Sequence, residues 1–126
     1  MRIAGIDYGT KRIGLALSDE SQTFAREFAI YSPKEFWQNI KNLIEEQAVE
    51  RIILGLPLNM DGGSTDKTQE VQGFSDELQE RVSVPIEFMD ERLSSVMASN
   101  LPGGRQNVDS LAAQIILQNY LDKKKQ

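Results

Sequence analysis

Apolar positions set the outline of the chain. Residues 2–8 (RIAGIDY) and 12–18 (RIGLALS) are two apolar runs separated by the turn Gly9-Thr10-Lys11, the pattern of a β-hairpin. Residues 23–31 (TFAREFAIY), in which Phe24, Phe28 and Ile30 fall at even spacing, predict a third antiparallel strand. Pro33 suits the first turn of a helix. Phe36, Ile40, Leu43, Ile44 and Ala48 then recur at helical spacing and predict one apolar face. Residues 51–55 (RIILG) read as a short buried strand ending at Pro57. A loop over 56–63 follows, with Ser64, Thr65 and Asp66 as candidate N-caps. Val71, Phe74, Leu78 and Val82 trace a second amphipathic helix, and Pro85 opens a fifth strand, IEFM, that ends at Asp90-Glu91. Pro102-Gly103-Gly104 breaks the chain before a last helix at roughly 107–122.

Three antiparallel strands followed by helix, strand, helix, strand and helix define an α/β chain. The right-handed crossover rule sets the last two strands parallel to the first, giving a mixed sheet with helices on both faces. A length of 126 residues suits one domain spanning 1–126, and no internal repeat or linker interrupts it.

Composition narrows the chemistry mainly by what is missing. The chain has no cysteine, which excludes disulfides, thiolate nucleophiles and zinc–cysteine sites. It has no histidine, which excludes Ser-His-Asp triads and imidazole bases. A hydrolase of this composition works with carboxylates, which suit magnesium or manganese, or with Lys, Ser or Tyr. No apolar run reaches the ~18–20 residues of a membrane span and no signal-peptide pattern is present, so a cytoplasmic protein without a membrane partner is expected. The net charge of −5 runs against the basic footprint of a nucleic-acid binder. Residues 1–18 and 94–126 are nevertheless each net positive, and the acidic surplus falls in 19–50 and 71–93.

Candidate chemistry begins at Asp7. Alternation puts Ile3, Gly5 and Asp7 on one face of the first strand. Taken alone, a strand-end aspartate before a glycine turn is an ordinary turn initiator. Two further features give it company. Asp90-Glu91 ends the fifth strand, and carboxyl ends of parallel strands gather on one edge of such a sheet, where ligands bind. Asp109 lies in the first turn of the last helix, ahead of Ala112 and Ala113. These small residues, with Gly5 opposite, let the helix approach the sheet and bring Asp109 near Asp7; helix-dipole complementarity is the alternative role for Asp109. Three converging carboxylates oppose one another's ionisation unless a cation neutralises them. One or two divalent ions, a pair standing ~3.5–4 Å apart, could activate water on a phosphodiester with no histidine involved. Lys11 and Arg12 after the hairpin turn, and Arg92 beside Glu91, are candidates to meet phosphate. Gly62-Gly63 before Ser64 offers backbone amides at a helix start, with Asn59 and Asp61 polar in the same loop.

Four ordered blocks, GIDYGTKRIGLALSD (5–19), GLPLNMDG (55–62), DERLSS (90–95) and DSLAAQIILQNYLD (109–122), resemble the YqgF family of RuvX-like resolvases over nearly the whole chain. The resemblance implies a ribonuclease H-like sheet of strand order 3-2-1-4-5, with strand 2 antiparallel. It implies nucleases that mature the 5′ end of precursor 16S ribosomal RNA, acting on structured RNA or on ribosomal precursor particles, with Mg2+ or Mn2+ as cofactor. By position, Asp7 resembles the catalytic acid of the first strand, and Glu91 and Asp109 its metal-binding partners; whether Asp90 or Glu91 faces the metal is left open. One departure is the connection from Val96 to Val108, shorter than usual in the family and carrying Arg105 as its sole charge.

Other readings make different demands. Resolution of Holliday junctions, a branched-DNA substrate, calls for a stable dimer, whereas the nuclease reading accepts a monomer or weak homodimer. A catalytically silent ribosome-assembly module fits the acidic charge. Nucleotide binding of the actin-like kind, which D-Y-G-T-K also resembles, needs two lobes where this length supplies one.

Overall fold

The computed structural model describes residues 1–59, 61–90 and 108–124, and of residues 108–110 the backbone alone. Among the described residues eight elements follow in chain order: β1 (Arg2–Tyr8), β2 (Ile13–Ser18), β3 (Ala25–Tyr31), α1 (Pro33–Glu46), β4 (Val49–Leu56), α2 (Asp66–Arg81), β5 (Ile86–Asp90) and α3 (Val108–Lys124). The five strands form one sheet in the order β3-β2-β1-β4-β5. β1 pairs antiparallel with β2 and parallel with β4, and β4 pairs parallel with β5. The mixed sheet with order 3-2-1-4-5 expected from the sequence is therefore observed.

Alternation along the strands divides the core in two. Ala4, Ile6, Ile13, Leu15, Leu17, Ile52 and Leu54 pack under α1 and α2 with Phe36, Ile40, Val71, Phe74 and Leu78. Ile3, Ala16, Ala25 and Ile53 face the other way, under Ala113, Ile116, Leu117 and Leu121 of α3. Both helices of the first layer start on reciprocal caps. The Ser32 hydroxyl accepts from the Glu35 amide while the Glu35 carboxylate accepts from the Ser32 amide, and Thr65 and Thr68 do the same at α2.

Three expectations need correction. Ala48 does not extend the apolar face of α1: the helix ends at Glu46, and Ala48 is exposed with φ 52°, its carbonyl accepting from the Arg2 amide that begins β1. Phe24 precedes β3 and is exposed. Phe28 is also exposed, because the register jumps from Leu15–Ala29 to Ala16–Glu27 and leaves Phe28 as the extra residue of a bulge. The fourth strand is longer than 51–55, since Val49 already pairs with Arg2.

Candidate functional site

Asp7 stands next to last on β1, which lies at the centre of the sheet. Its face is fixed by its neighbours. A Cβ added at Gly5 would lie 2.8 Å from Leu117 Cβ and 3.0 Å from the Ala113 carbonyl oxygen, so that face looks at α3. Tyr8, of the opposite parity, stacks on Phe74 of α2 with ring centroids 4.4 Å apart. Asp7 thus points to the α3 side, half-buried. Its cross-strand partner on β2 is Gly14. One step beyond the paired Ile6 and Leu54, β4 carries Gly55. Neither neighbouring strand therefore sets a side chain beside the Asp7 carboxylate on this face.

The direction of α3 can be read from its far end. The Lys124 ammonium donates to Gln22 Oε1 at 2.7 Å, and Gln22 Nε2 donates to the Met1 carbonyl at 3.0 Å. The end of α3 therefore lies by the start of β1, and the two run antiparallel. From Gly5 to Asp7 the strand advances about 6.7 Å, and from Ala113 back to Asp109 the helix retreats about 6 Å. The first turn of α3, where Asp109 is the second residue, is thereby level with Asp7.

Strand parity sets the face of Asp90. Met89 packs into the α3 cluster, and Glu87 hydrogen-bonds to Tyr120 of α3, whose phenol is pushed up by burial and then by this carboxylate. Ile86 packs on the opposite side, and Asp90 pairs with Leu56, which belongs to the α1/α2 core. Asp90 thus falls on the face away from Asp7. Glu91 and Arg92 lie outside the described residues, as do the side chain of Asp109 and most of the short connection from Val96. Among the described residues no three carboxylates come close enough together to hold a metal ion.

The described candidates for phosphate binding, Lys11, Arg12, Asn59 and Ser64, share the Asp7 end of the sheet. Lys11 and Arg12 are exposed in the β1–β2 turn, and Arg12 falls just before β2 rather than within it. Gly9 in that turn is obligatory, because a Cβ there would meet the Arg12 carbonyl oxygen at 2.6 Å. Asn59 and Ser64 are exposed in the loop between β4 and α2. The free amides expected before α2 are in fact largely used. Gly62 N–H donates to the Asn59 carbonyl at 2.8 Å, Gly63 N–H to Asp61 Oδ1 at 2.9 Å, and Thr65 N–H to Thr68 Oγ1 at 3.0 Å. Thr68 Oγ1 also donates to the Pro57 carbonyl, tying the loop back to the end of β4. Anion binding by these amides loses its basis, while the loop gains a fixed shape.

Two features escaped sequence reasoning. Gly14 and Gly55 look like routine strand glycines until the register sets them beside Asp7. Gln114 and Gln118, polar residues on α3, carry no sequence signal of a partner, yet both reach the backbone of the 23–25 segment.

A mixed sheet of this order with a carboxylate at the end of its central strand defines the ribonuclease H-like class, and its structural neighbours are resolvases of that fold. RuvC from T. thermophilus, solved with a Holliday junction substrate, aligns with a TM-score of 0.58 at 14% identity, covering 99% of this chain and 96% of that one. The fowlpox virus resolvase, solved with Holliday junction DNA, gives 0.56 at 12% identity and covers 100% of both chains. The family model RuvX, described as Holliday junction resolvase, matches residues 1–123, and the chain belongs to this RuvX/YqgF family. Relatives from Maridesulfovibrio salexigens and Thermoanaerobacter pseudethanolicus carry the name "Putative pre-16S rRNA nuclease". The first is 39% identical over 96% of this chain and 98% of its own length, the second 41% over 99% of each. Among the described residues no helix is long and apolar enough to cross a membrane.

Proposed function

We propose that this chain is a Mg2+- or Mn2+-dependent nuclease that hydrolyses phosphodiester bonds of structured RNA, with the 5′ end of precursor 16S ribosomal RNA as substrate and residues 1–126 acting as one domain. The observation that carries the reading is the first turn of α3 lying level with half-buried Asp7 at the carboxyl end of the central strand. Asp7, Glu91 and Asp109 would hold the cation. Their oxygen donors suit a hard divalent ion, the glycines beside Asp7 leave it room, and no His or Cys competes. Of the Asp90-Glu91 pair we assign the role to Glu91, since Asp90 falls on the face away from Asp7.

When bound, the cation supplies Lewis acidity and a water that is nucleophilic near neutral pH. The residues of the chain supply position and charge. β1 holds Asp7 on the α3 side of the sheet, and Asp109, in the first turn of α3, would bring a second carboxylate from a separate element. Lys11 and Arg12 at the hairpin tip, with Arg92 beside Glu91, would meet phosphate oxygens. Asn59 and Ser64 would contact the substrate from the shaped loop after β4. With no imidazole in the chain, protons leave through carboxylate or water.

The test is cleavage of a precursor-16S-like RNA with Mg2+ or Mn2+, comparing wild type with Asp7→Asn. Loss of metal-assisted water activation, worth several kcal/mol, predicts a rate lower by on the order of 10³-fold with the fold intact. Equal rates in the two proteins would sink the assignment. The resolvase description of the family model favours a second substrate, four-way DNA. Symmetric nicks on a Holliday junction by a stable dimer would move the assignment there, and a strictly monomeric protein at micromolar concentration would exclude it.

A further inference from the structure

The interface between α3 and the sheet mixes small residues, Gly5, Ala16, Ala25 and Ala113, with the larger Ile3, Ile53, Ile116, Leu117 and Leu121. The small residues allow close approach where Gly5 meets Ala113, but they present lower ridges there than the flanking Ile and Leu, and ridges help to key a helix against sliding along its axis. A metal site tolerates errors of only about 0.5 Å in the placement of its ligands. Apolar packing is non-directional, and directional bonds can add to it in fixing the axial position of α3.

Directional hydrogen bonds to an edge strand do so. Gln118 Oε1 accepts from the Ala25 amide at 2.8 Å, and its Nε2 donates to the Thr23 carbonyl at 3.0 Å. One turn earlier, Gln114 Nε2 donates to the Ala25 carbonyl at 3.3 Å. Gln118 thus engages the β3 edge with both ends of its amide, as a neighbouring strand would, and Gln114 adds a third bond. The 23–25 segment is itself rigid, because Asp19 Oδ1 accepts from the Thr23 and Phe24 amides at 2.8 and 3.0 Å. A helix is stiff along its axis. Any slip at Gln118 would be carried nearly one for one to Asp109, nine residues or about 13 Å away.

We infer that Gln118, seconded by Gln114, is a positioning residue that sets the register of α3 and so the placement of Asp109 against Asp7. The inference rests on the proposed metal site. It assigns to a pair of half-buried glutamines, far from the proposed metal site, part of the affinity for the ion.

The test is Mn2+ binding, followed by the electron paramagnetic resonance of free Mn2+ and by calorimetry, at a temperature where every variant is folded. Gln118→Met keeps the length and removes both bonds. It is expected to weaken Mn2+ binding by about 10-fold or more, the scale on which outer groups that orient metal ligands act. Gln114→Met, losing one long bond, shifts affinity the same way by less, and carries the test if Gln118→Met does not fold. Ile40→Val, on α1 across the sheet, provides destabilisation without touching the clamp and is expected to bind Mn2+ as wild type does. Wild-type affinity in both glutamine variants would overturn the positioning role while leaving the site intact. A wild type that binds no Mn2+, or binds it no better than Asp7→Asn, would overturn the site and the clamp together.

Discussion

On one face of the sheet Phe36, Trp37, Phe74 and Tyr8 form a continuous aromatic cluster, with Phe74 centroids 5.3 Å from both Phe36 and Trp37, and the Arg81 guanidinium closes it 4.6 Å above the Trp37 ring. On the other face α3 approaches Gly5, Ala16 and Ala25 between Ile3 and Ile53, and glutamine amides hold it at its rim. Bulk on the first face removes a large apolar area from water and separates helix from strand by whole rings. Small residues on the second bury less per position but bring helix backbone almost onto strand backbone. The first face is where the fold obtains its stability. The second is where the first turn of α3 comes level with Asp7, and this difference can be tested by damaging each face in turn.

The largest effect on stability belongs to the aromatic face. Phe36 is fully buried and touches two other rings, so Phe36→Ala should cost about 3–5 kcal/mol in urea unfolding. Cleavage per folded molecule should stay at the wild-type level, since neither Asp7 nor α3 leans on that ring. A variant that remains folded but loses activity in proportion would show that the two faces are not separable in this way.

Damage to the α3 face should show the reverse balance. The Cβ of Gly5→Ala would arrive about half an ångström or more inside ordinary contact with Leu117 Cβ, and close to a backbone oxygen that cannot rotate away. The helix must lift. Overpacking of this kind costs about 1–3 kcal/mol, less than the aromatic deletion. Cleavage per folded molecule should nevertheless fall by about 10- to 100-fold, because reacting groups tolerate little misplacement. Activity matching wild type after correction for the folded fraction would mean that the close approach serves packing alone.

How much of this could be read beforehand follows the same division. The aromatic face was legible because Phe36, Ile40 and Leu43, and again Val71, Phe74 and Leu78, repeat at helical spacing. Gly5 with Ala112-Ala113 also announced a close helix, and the place of Asp109 in its first turn followed from that. What failed was whatever depends on register. The bulge at Phe28 breaks the alternation that Phe24, Phe28 and Ile30 seemed to continue. β5 is an edge strand with apolar residues of both parities, Ile86 and Phe88 against Met89, so its sequence alone does not say which face Asp90 takes. Ala48 continues a helical count past a chain reversal that only its positive φ reveals. Gln114 and Gln118 carry no apolar signal at all, because their partners are backbone atoms more than eighty residues away.

The smallest expected effect concerns the anchor of the α3 face, the β2–β3 turn that presents Thr23 and Ala25 to the glutamines. Asp19 organises this turn, and its carboxyl is lowered from 3.8 to about 2, first by the Ser21 hydroxyl at 2.6 Å and then by the Phe24 and Thr23 amides. A folded-state pKa below the unfolded one means that the ionised form favours the fold. The contribution is complete above about pH 4 and is lost as pH falls through about 2. Asp19→Asn removes that dependence while leaving every other carboxylate to titrate as before. The gap in urea midpoint between wild type and Asp19→Asn should therefore be widest near pH 5 and close as the pH approaches 2. The group is exposed, so the gap itself will be modest; its change with pH is the observable. A gap that stays constant over that range would mean the carboxylate's charge does not hold the turn, and that the anchor of α3 rests on backbone conformation instead.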